Sequence, residues 1–366
     1  MKHRIVSISF LLIICAFFIL SRLITPPVVS LSERRTLATF PTFSWQSVSS
    51  GEFMGSYETY AADSFPFRES FRTLRAYVIL DGFRMLDKDA LYRGDSGIGR
   101  FARINETEYR NMARKIQTIV QQLPSMHTYF AIVPDKSIYA GRFLPGFDMT
   151  QASQIMKEAL PNITHIDLSE VLSADSYYRT DIHWDQSKIS PIASKITESM
   201  NAALVLRLDV QNQGEFYGVY AGQLALPVQM DTMLYQTPTH VDSVENSVKV
   251  HILADDGTIQ AREMYDQEGF SSIDPYNFFL YGPTSLIWIT NEQAADKTLY
   301  LFRDSFGSSL APLLAYGGAY SEIVLIDLRY IDSRVLSQYV DFKEGSDLLF
   351  MYSSQILNNS SVIKVK

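Results

Sequence analysis

Cysteine is nearly absent. Cys15 is the only one among 366 residues, so no intramolecular disulfide can form, and everything after it lacks thiol chemistry and thiolate metal sites. A basic excess is also missing. The formal charge is −8 and the pI near 5.3, which argues against a general nucleic-acid binder. There is no internal repeat and no low-complexity tract. Triplets of the glycosylation type, such as Asn162-Ile163-Thr164, are too common by chance to carry weight. Only six histidines occur, and none stands at ligand spacing from another beside an acid. No metal and no other cofactor is expected.

What is present begins at the amino terminus. Lys2, His3 and Arg4 precede an apolar run, Ile5 to Leu20, broken only by Ser7 and Ser9. At 1.5 Å per residue this run is roughly 24 Å long, slightly short of a ~30 Å hydrocarbon core. Ser21-Arg22-Leu23-Ile24 extends it, with Arg22 snorkelling to the interface. The positive flank places the short tail in the cytoplasm. No small-x-small cleavage site precedes Pro26-Pro27, so a retained single-span anchor is expected rather than a cleaved signal peptide. Residues 1–24 are thus expected to be cytoplasmic tail and anchor, 25–50 a stalk, and 51–366 an extracytoplasmic domain at the cell membrane.

Apolar spacing after Phe67 is helical, and Pro66 separates two helices. Glu108 to Leu123 reads as an amphipathic helix with Thr107 as N-cap, followed by an apolar strand, Thr128 to Val133. A helix opening near Ser190 and Pro191 runs to Met200. Strands are expected at Leu286–Ile289, Leu299–Phe302, Glu322–Ile326 and Leu348–Tyr352, with a helix at Ser333–Val340. Helices alternating with short apolar runs predict an α/β fold, a mostly parallel sheet covered on both faces.

Within it, Lys297 to Tyr316 changes from strand to helix at Arg303-Asp304-Ser305. A sharp strand-to-helix turn puts Ser305 at the carboxyl edge of the sheet, beside unpaired backbone N–H groups of the first helical turn. Ser305 is a candidate nucleophile if a base is near. The alternative is that Asp304 or Ser305 merely caps the helix.

His183 is the candidate base. His127, His165 and His251 lie beside or within apolar strand-like runs, and His240 in a turn without an adjacent acid. His183 follows Asp181 by two residues. In an extended segment the two side chains point the same way, so Asp181 can hold one ring nitrogen while the other faces a hydroxyl.

Thr180-Asp181-Ile182-His183-Trp184 together with Arg303-Asp304-Ser305-Phe306 resembles the DHHW family, itself similar to bacterial alginate O-acetyltransferase proteins with SGNH-hydrolase-like domains. The resemblance covers most of the chain after the anchor. It includes Ser32-Glu33-Arg34-Arg35-Thr36-Leu37 with Phe40-Pro41, Asp63-Ser64-Phe65-Pro66-Phe67-Arg68, and Val133-Pro134-Asp135-Lys136-Ser137-Ile138-Tyr139. Phe216-Tyr217-Gly218, Ile289-Thr290-Asn291 and Asp327-Leu328-Arg329-Tyr330 complete it. One departure is visible: Ile182 stands where the family motif has its first histidine. The alginate proteins vary there too and keep D-x-H-W.

The resemblance implies a three-layer SGNH-hydrolase-like domain behind one N-terminal transmembrane helix, with a triad of Asp181, His183 and Ser305. It implies O-acyl transfer, with acetyl the expected group, to an exported cell-surface polysaccharide through an acyl-serine intermediate. Acetyl-CoA is cytoplasmic, so it also implies a membrane-bound O-acyltransferase partner that supplies the acyl group. On that mechanism the Ser305 N–H, with Asn291 or Gly282, is the expected oxyanion site. Trp184, Lys136, Arg329 and Tyr330 are expected substrate contacts, against ordinary alternatives of core packing for Trp184, a solvated strand-end charge for Lys136 and a structural ion pair for Arg329. The same residues leave open a carbohydrate acetylesterase, or a non-catalytic membrane-anchored glycan-binding or assembly protein.

Overall fold

A computed structural model describes residues 2–101, 103–141, 144, 146–239 and 247–365; His240 lies outside the described residues. Packing divides the chain into two units, one of residues up to 89 together with 221–228, the other of 90–220 with 229 onward.

The first unit holds three longer helices, α1 Lys2–Leu23, α2 Glu52–Asp63 and α3 Arg68–Tyr77, with Pro66 between the last two as expected. Within α1, Arg4–Ser21 is long and apolar enough to cross a membrane. The segment read as a stalk carries a two-residue strand pair, Val29–Ser30 with Arg35–Thr36. It is tied to the end of α2: the buried Asp63 carboxylate accepts from Arg35 Nη1 and Nη2 at 2.8 and 2.6 Å and from the Ala38 N–H at 2.9 Å. These charge-assisted bonds link 35–38 to position 63, so the boundary drawn at 50/51 does not coincide with the division by packing.

The second unit is built on an eight-stranded sheet: β1 His127–Val133, β2 Thr164–Ile166, β3 Val248–Leu253, β4 Ile259–Arg262, β5 Leu286–Asn291, β6 Thr298–Arg303, β7 Glu322–Ile326 and β8 Asp347–Ser353. They lie in the order β4-β3-β5-β7-β6-β8-β1-β2. The pairings from β7 through β6, β8 and β1 to β2 are all parallel. β5 is antiparallel to β7, and β3 and β4 continue antiparallel. Every residue of β6 is buried, as a central parallel strand with both faces covered requires. Leu299 and Leu301 face the core under α6 Ser190–Ser199 and α7 Ser305–Tyr316. Tyr300 and Phe302 face the core under α4 Glu106–Gln122 and α5 Met149–Ala159. The result is a three-layer α/β arrangement with a mostly parallel sheet.

Two local expectations change. Helix α4 is capped by Asn105, not Thr107; Asn105 is extended and its side chain accepts from the Glu108 N–H at 3.3 Å. The segment read as a helix from Ser333 to Val340 is a 3₁₀ helix over Ser333–Gln338, opened by the Asp332 carboxylate on the Arg334 N–H.

Candidate active site

Ser305 is the first residue of α7, at the end of the buried strand β6. Asp304 does the capping: its Oδ1 accepts from the Phe306 N–H at 3.1 Å and its Oδ2 from the Ser353 N–H of β8 at 2.7 Å. That leaves the partly exposed Ser305 hydroxyl for another partner. The partner is His183, whose Nε2 lies 2.7 Å from Ser305 Oγ. Its Nδ1 lies 2.7 Å from Asp181 Oδ1. A carboxylate can only accept, so it fixes the ring proton on Nδ1 and leaves Nε2 to accept from the serine O–H.

Asp181 and His183 do not meet on an extended strand, as the sequence suggested. The stretch between them is a bend, closed by a bridge between Tyr177 and Trp184 and by the Tyr178 N–H donating to the His183 carbonyl at 3.1 Å. Asp181 Oδ1 also accepts from the His183 N–H at 3.1 Å, so the pair is an Asx turn. A short acidic side chain two residues before an N–H closes such a turn without help from a strand.

Three groups hold this loop. Lys136 Nζ, in the buried interior, donates to the carbonyls of Tyr178 at 2.9 Å, Arg179 at 3.3 Å and Asp181 at 2.7 Å. Burial pushes its ammonium down to about 8, against the pull of Asp181 and Asp135. The Asp231 carboxylate accepts from the N–H groups of Arg179 and Thr180 at 2.8 and 2.6 Å and from the Thr180 hydroxyl at 2.5 Å. The Val219 N–H donates to Asp181 Oδ2 at 2.8 Å. Beside it, Gly218 packs so tightly that a Cβ there would lie 2.2 Å from the Thr180 carbonyl.

The imidazole is also held across its face. Tyr276 stacks on it with centroids 3.7 Å apart and planes 7° from parallel. The Tyr276 hydroxyl donates to Ser309 Oγ at 2.6 Å, and Trp184 Nε1 donates to the same oxygen at 2.7 Å. Phe306 leans on the His183 and Trp184 rings, 5.0 Å from each.

The structure therefore brings Asp181, His183 and Ser305 together and reassigns most of the other expected residues. Trp184 is fully buried and bonded to Ser309, so it packs the loop against α7 and cannot stack on a sugar. Lys136 is neither solvated nor turned to a substrate; it satisfies loop carbonyls. Asn291 caps the wrong end of α7. Its Nδ2 donates to the Ala315 carbonyl at 2.9 Å, ten residues or about 15 Å along the helix from Ser305. The cause is the antiparallel direction of β5, which carries its last residue to the opposite sheet edge. Gly282 does lie in the loop before β5, with φ +59°, but its N–H turns back to the Phe279 carbonyl at 3.4 Å. Arg329 is committed to Asp327, with Nε and Nη2 donating at 2.9 and 2.6 Å, and Arg303 in the interior shares that carboxylate at 3.3 Å. Tyr330 is 46% exposed and lines a cleft of about 660 Å³ with Tyr281, Tyr339 and Arg262.

Tyr276, Asp231 and Ser309 were not singled out from the sequence. Each acts on residues 33 to 125 positions away with no local motif, so only the fold reveals them. Among the described residues, no group of three or more His, Cys, Asp or Glu side chains is arranged to hold a metal ion.

No protein-family model matches the chain, and no curated protein matches it. Solved structures do. A DHHW family protein from Eubacterium siraeum DSM 15702 superposes with a TM-score of 0.60 at 17% identity, over 75% of this chain and 94% of that one. Bacillus cereus PatB1 with a sulfonyl adduct gives 0.62 at 17% identity, over 77% of this chain and 100% of that one. The O-acetyltransferase domain of Pseudomonas putida AlgJ is a more distant neighbour, with a TM-score of 0.44 at 13% identity, over 74% of this chain and 93% of that one. The chain shares its fold with the DHHW family protein and with PatB1.

Proposed function

We propose that the second unit is an O-acyltransferase that acetylates an exported polysaccharide through an acyl-serine intermediate. The observation that carries this reading is the unbroken hydrogen-bond chain from Asp181 through His183 to Ser305. Ser305 Oγ attacks the acetyl carbonyl while His183 Nε2 takes its proton, and Asp181 holds the imidazolium that forms. The Ser305 N–H, at the positive end of α7, faces the charge that develops on the carbonyl oxygen. Collapse expels the donor's leaving group, which takes the proton back from His183. A sugar hydroxyl then repeats the sequence in reverse, giving its proton to His183 and receiving the acetyl group. The apolar α1 anchors the chain, with the second unit outside the cytoplasm, and a membrane-bound O-acyltransferase supplies the acyl group. The SGNH-like fold, the resemblance in the D-x-H-W and D-S segments and the apolar amino-terminal helix support the reading.

The test is to incubate the protein with an activated acetyl ester and follow intact mass. An acetyl increment on the native chain and none on Ser305→Ala is the expected result; a label that survives Ser305→Ala removes the nucleophile. Adding an oligosaccharide then separates transfer from hydrolysis, the latter being the outcome for an acetylesterase. Absence of any increment and of ester turnover favours a non-catalytic glycan-binding role.

A further inference from the structure

Helix α3 in the first unit is inside out for a protein surrounded by water. Phe67, Phe71, Leu74 and Val78 recur at helical spacing and are 59, 42, 56 and 43% exposed. Two of its four charged side chains look inward instead, Arg68 and Arg72 at only 16 and 15% exposure, while Glu69 and Arg75 reach outward at 58 and 55%. Arg68 pairs with Glu33 and Asp63, and Arg72 Nη2 donates to the Gly222 carbonyl at 2.8 Å. The outward apolar surface continues at Phe83, Met85 and Leu86, at 74, 57 and 63% exposure. An aqueous surface would cost this arrangement several apolar side chains in water, and contiguous patches of this kind mark a non-aqueous neighbour.

The neighbour is identified by α1. Phe17, inside the apolar span Arg4–Ser21, stacks on Phe65 with centroids 5.1 Å apart and meets Phe71 edge-on at 5.8 Å. Phe17 lies four residues, about 6 Å, before the end of that span. The α3 stripe is thereby held at the depth where a membrane span leaves the hydrocarbon. Beside it, a mostly apolar hollow of about 490 Å³ is lined by Ile24, Pro26, Leu37, Phe65 and Phe67, with the Asp63 and Arg68 pair also in its wall, a mix that suits the boundary between acyl chains and headgroups. Aromatic rings concentrate at this level of a bilayer.

We infer that the first unit is a membrane-lying collar: the apolar face of α3 and the Phe83–Leu86 segment sit in the headgroup and upper acyl region of the bilayer that holds α1. The inference rests on α1 being retained as an anchor. It goes beyond the catalytic reading, because it fixes the first unit on the lipid surface rather than leaving it as a tether.

The test uses the full chain reconstituted in phosphatidylcholine and phosphatidylglycerol vesicles. Single spin labels are placed at native Cys15 and, in a Cys15→Ser background, at Phe71→Cys, Leu74→Cys and Lys157→Cys. All three substituted positions are exposed; Phe71→Cys gives up the edge contact with Phe17, while the Phe17–Phe65 stack stays and the label at 74 reads the face with both contacts intact. Power saturation compares relaxation by oxygen, which partitions into lipid, with relaxation by a water-soluble nickel chelate. Labels at 71 and 74 are expected to favour oxygen several-fold over the label at 157. A lipid signature at 15 with a water signature at 71 and 74 overturns the collar and leaves the anchor standing. A water signature at 15 removes the anchor and the collar together. Labels at 71 and 74 shielded from both relaxants would mean that protein covers the face, which also overturns the proposal.

Discussion

Across 122 positions of sequence, the Ser305 hydroxyl and the His183 Nε2 lie 2.7 Å apart. The contact needs both a helix start aimed out of the sheet edge and a loop pinned from behind, and each can be tested separately.

Ser305→Ala is expected to lower ester turnover by about 10³-fold or more with little loss of thermal stability. His183→Ala is expected to lower it as far and also to lower the melting temperature, because the buried ring fills the space against Tyr276 and pairs Asp181. The serine is partly exposed and Asp304 caps the helix, so removing the hydroxyl leaves the fold in place. Initial rates with an activated acetyl ester, read beside a melting curve, check this. A variant that keeps most of its rate would remove the residue from the chemistry.

Tyr276→Leu is expected to reduce kcat about ten-fold with KM nearly unchanged, because the imidazole loses the ring against its face while the substrate surface is untouched. Tyr276→Phe keeps the stack and gives up only the hydroxyl bond to Ser309. It should recover most of the lost kcat. Equal losses in the two variants would show that the hydroxyl, not the ring, matters.

Lys136→Met is expected to destabilise the second unit by about 2–4 kcal/mol. It leaves the carbonyls of Tyr178, Arg179 and Asp181 in the interior without their shared donor. Activity should fall with the melting temperature as the Asp181 loop relaxes. A melting temperature within a degree of the native chain would contradict the assignment.

Gly218→Ala is expected to cost activity more than a surface glycine would. The added methyl would sit 2.2 Å from the Thr180 carbonyl and 2.3 Å from the Asp181 nitrogen, so the backbone that carries Asp181 must move. Gly55→Ala, in α2, where nothing lies within 4 Å of the added Cβ and φ is not positive, as at Gly218, is the control for adding a methyl without a clash. The comparison is made on kcat/KM at matched fractions of folded protein.

Acid stability should report Asp63. Hydrogen bonds from Arg35 lower its carboxyl to about 2, with the Ala38 N–H adding to the effect. A depressed carboxyl stabilises the folded state fully above the ordinary aspartate value near 4 and loses that contribution as pH falls through about 2. The advantage of the native chain over Asp63→Asn, about 1–2 kcal/mol after allowing for the solvent-exposed Arg35, should therefore shrink between pH 4 and 2. Thermal unfolding in detergent across that range measures it.

Much of the fold could be read from the chain because local chemistry sets local structure. Leu299–Phe302 is a short, uninterrupted apolar run and forms a fully buried strand. Ser190-Pro191 opens a helix because proline fits a first turn. Ser305 could be located because a strand ending in Arg-Asp-Ser before leucines at helical spacing leaves few other geometries. Asp181 and His183 are two residues apart and meet through a local turn, so their partnership was legible even though its backbone shape was not.

The remainder depended on direction and depth. Asn291 follows an apolar strand just as Ser305 does, but β5 runs antiparallel to β7, and strand direction is set by the path of distant chain rather than by the strand's own residues. Lys136 reads in sequence as a strand-end charge or substrate contact and Trp184 as a sugar contact or a core residue, yet the polar atoms of both find partners only in the interior, because a buried donor must meet an acceptor wherever the fold supplies one. The amino-acid order determined which segments are strand, helix and apolar span, since propensity and periodicity act over a few residues. Tertiary packing alone decided which side chains share a site, because hydrogen bonds and ring contacts form between groups that are neighbours in space and not along the chain.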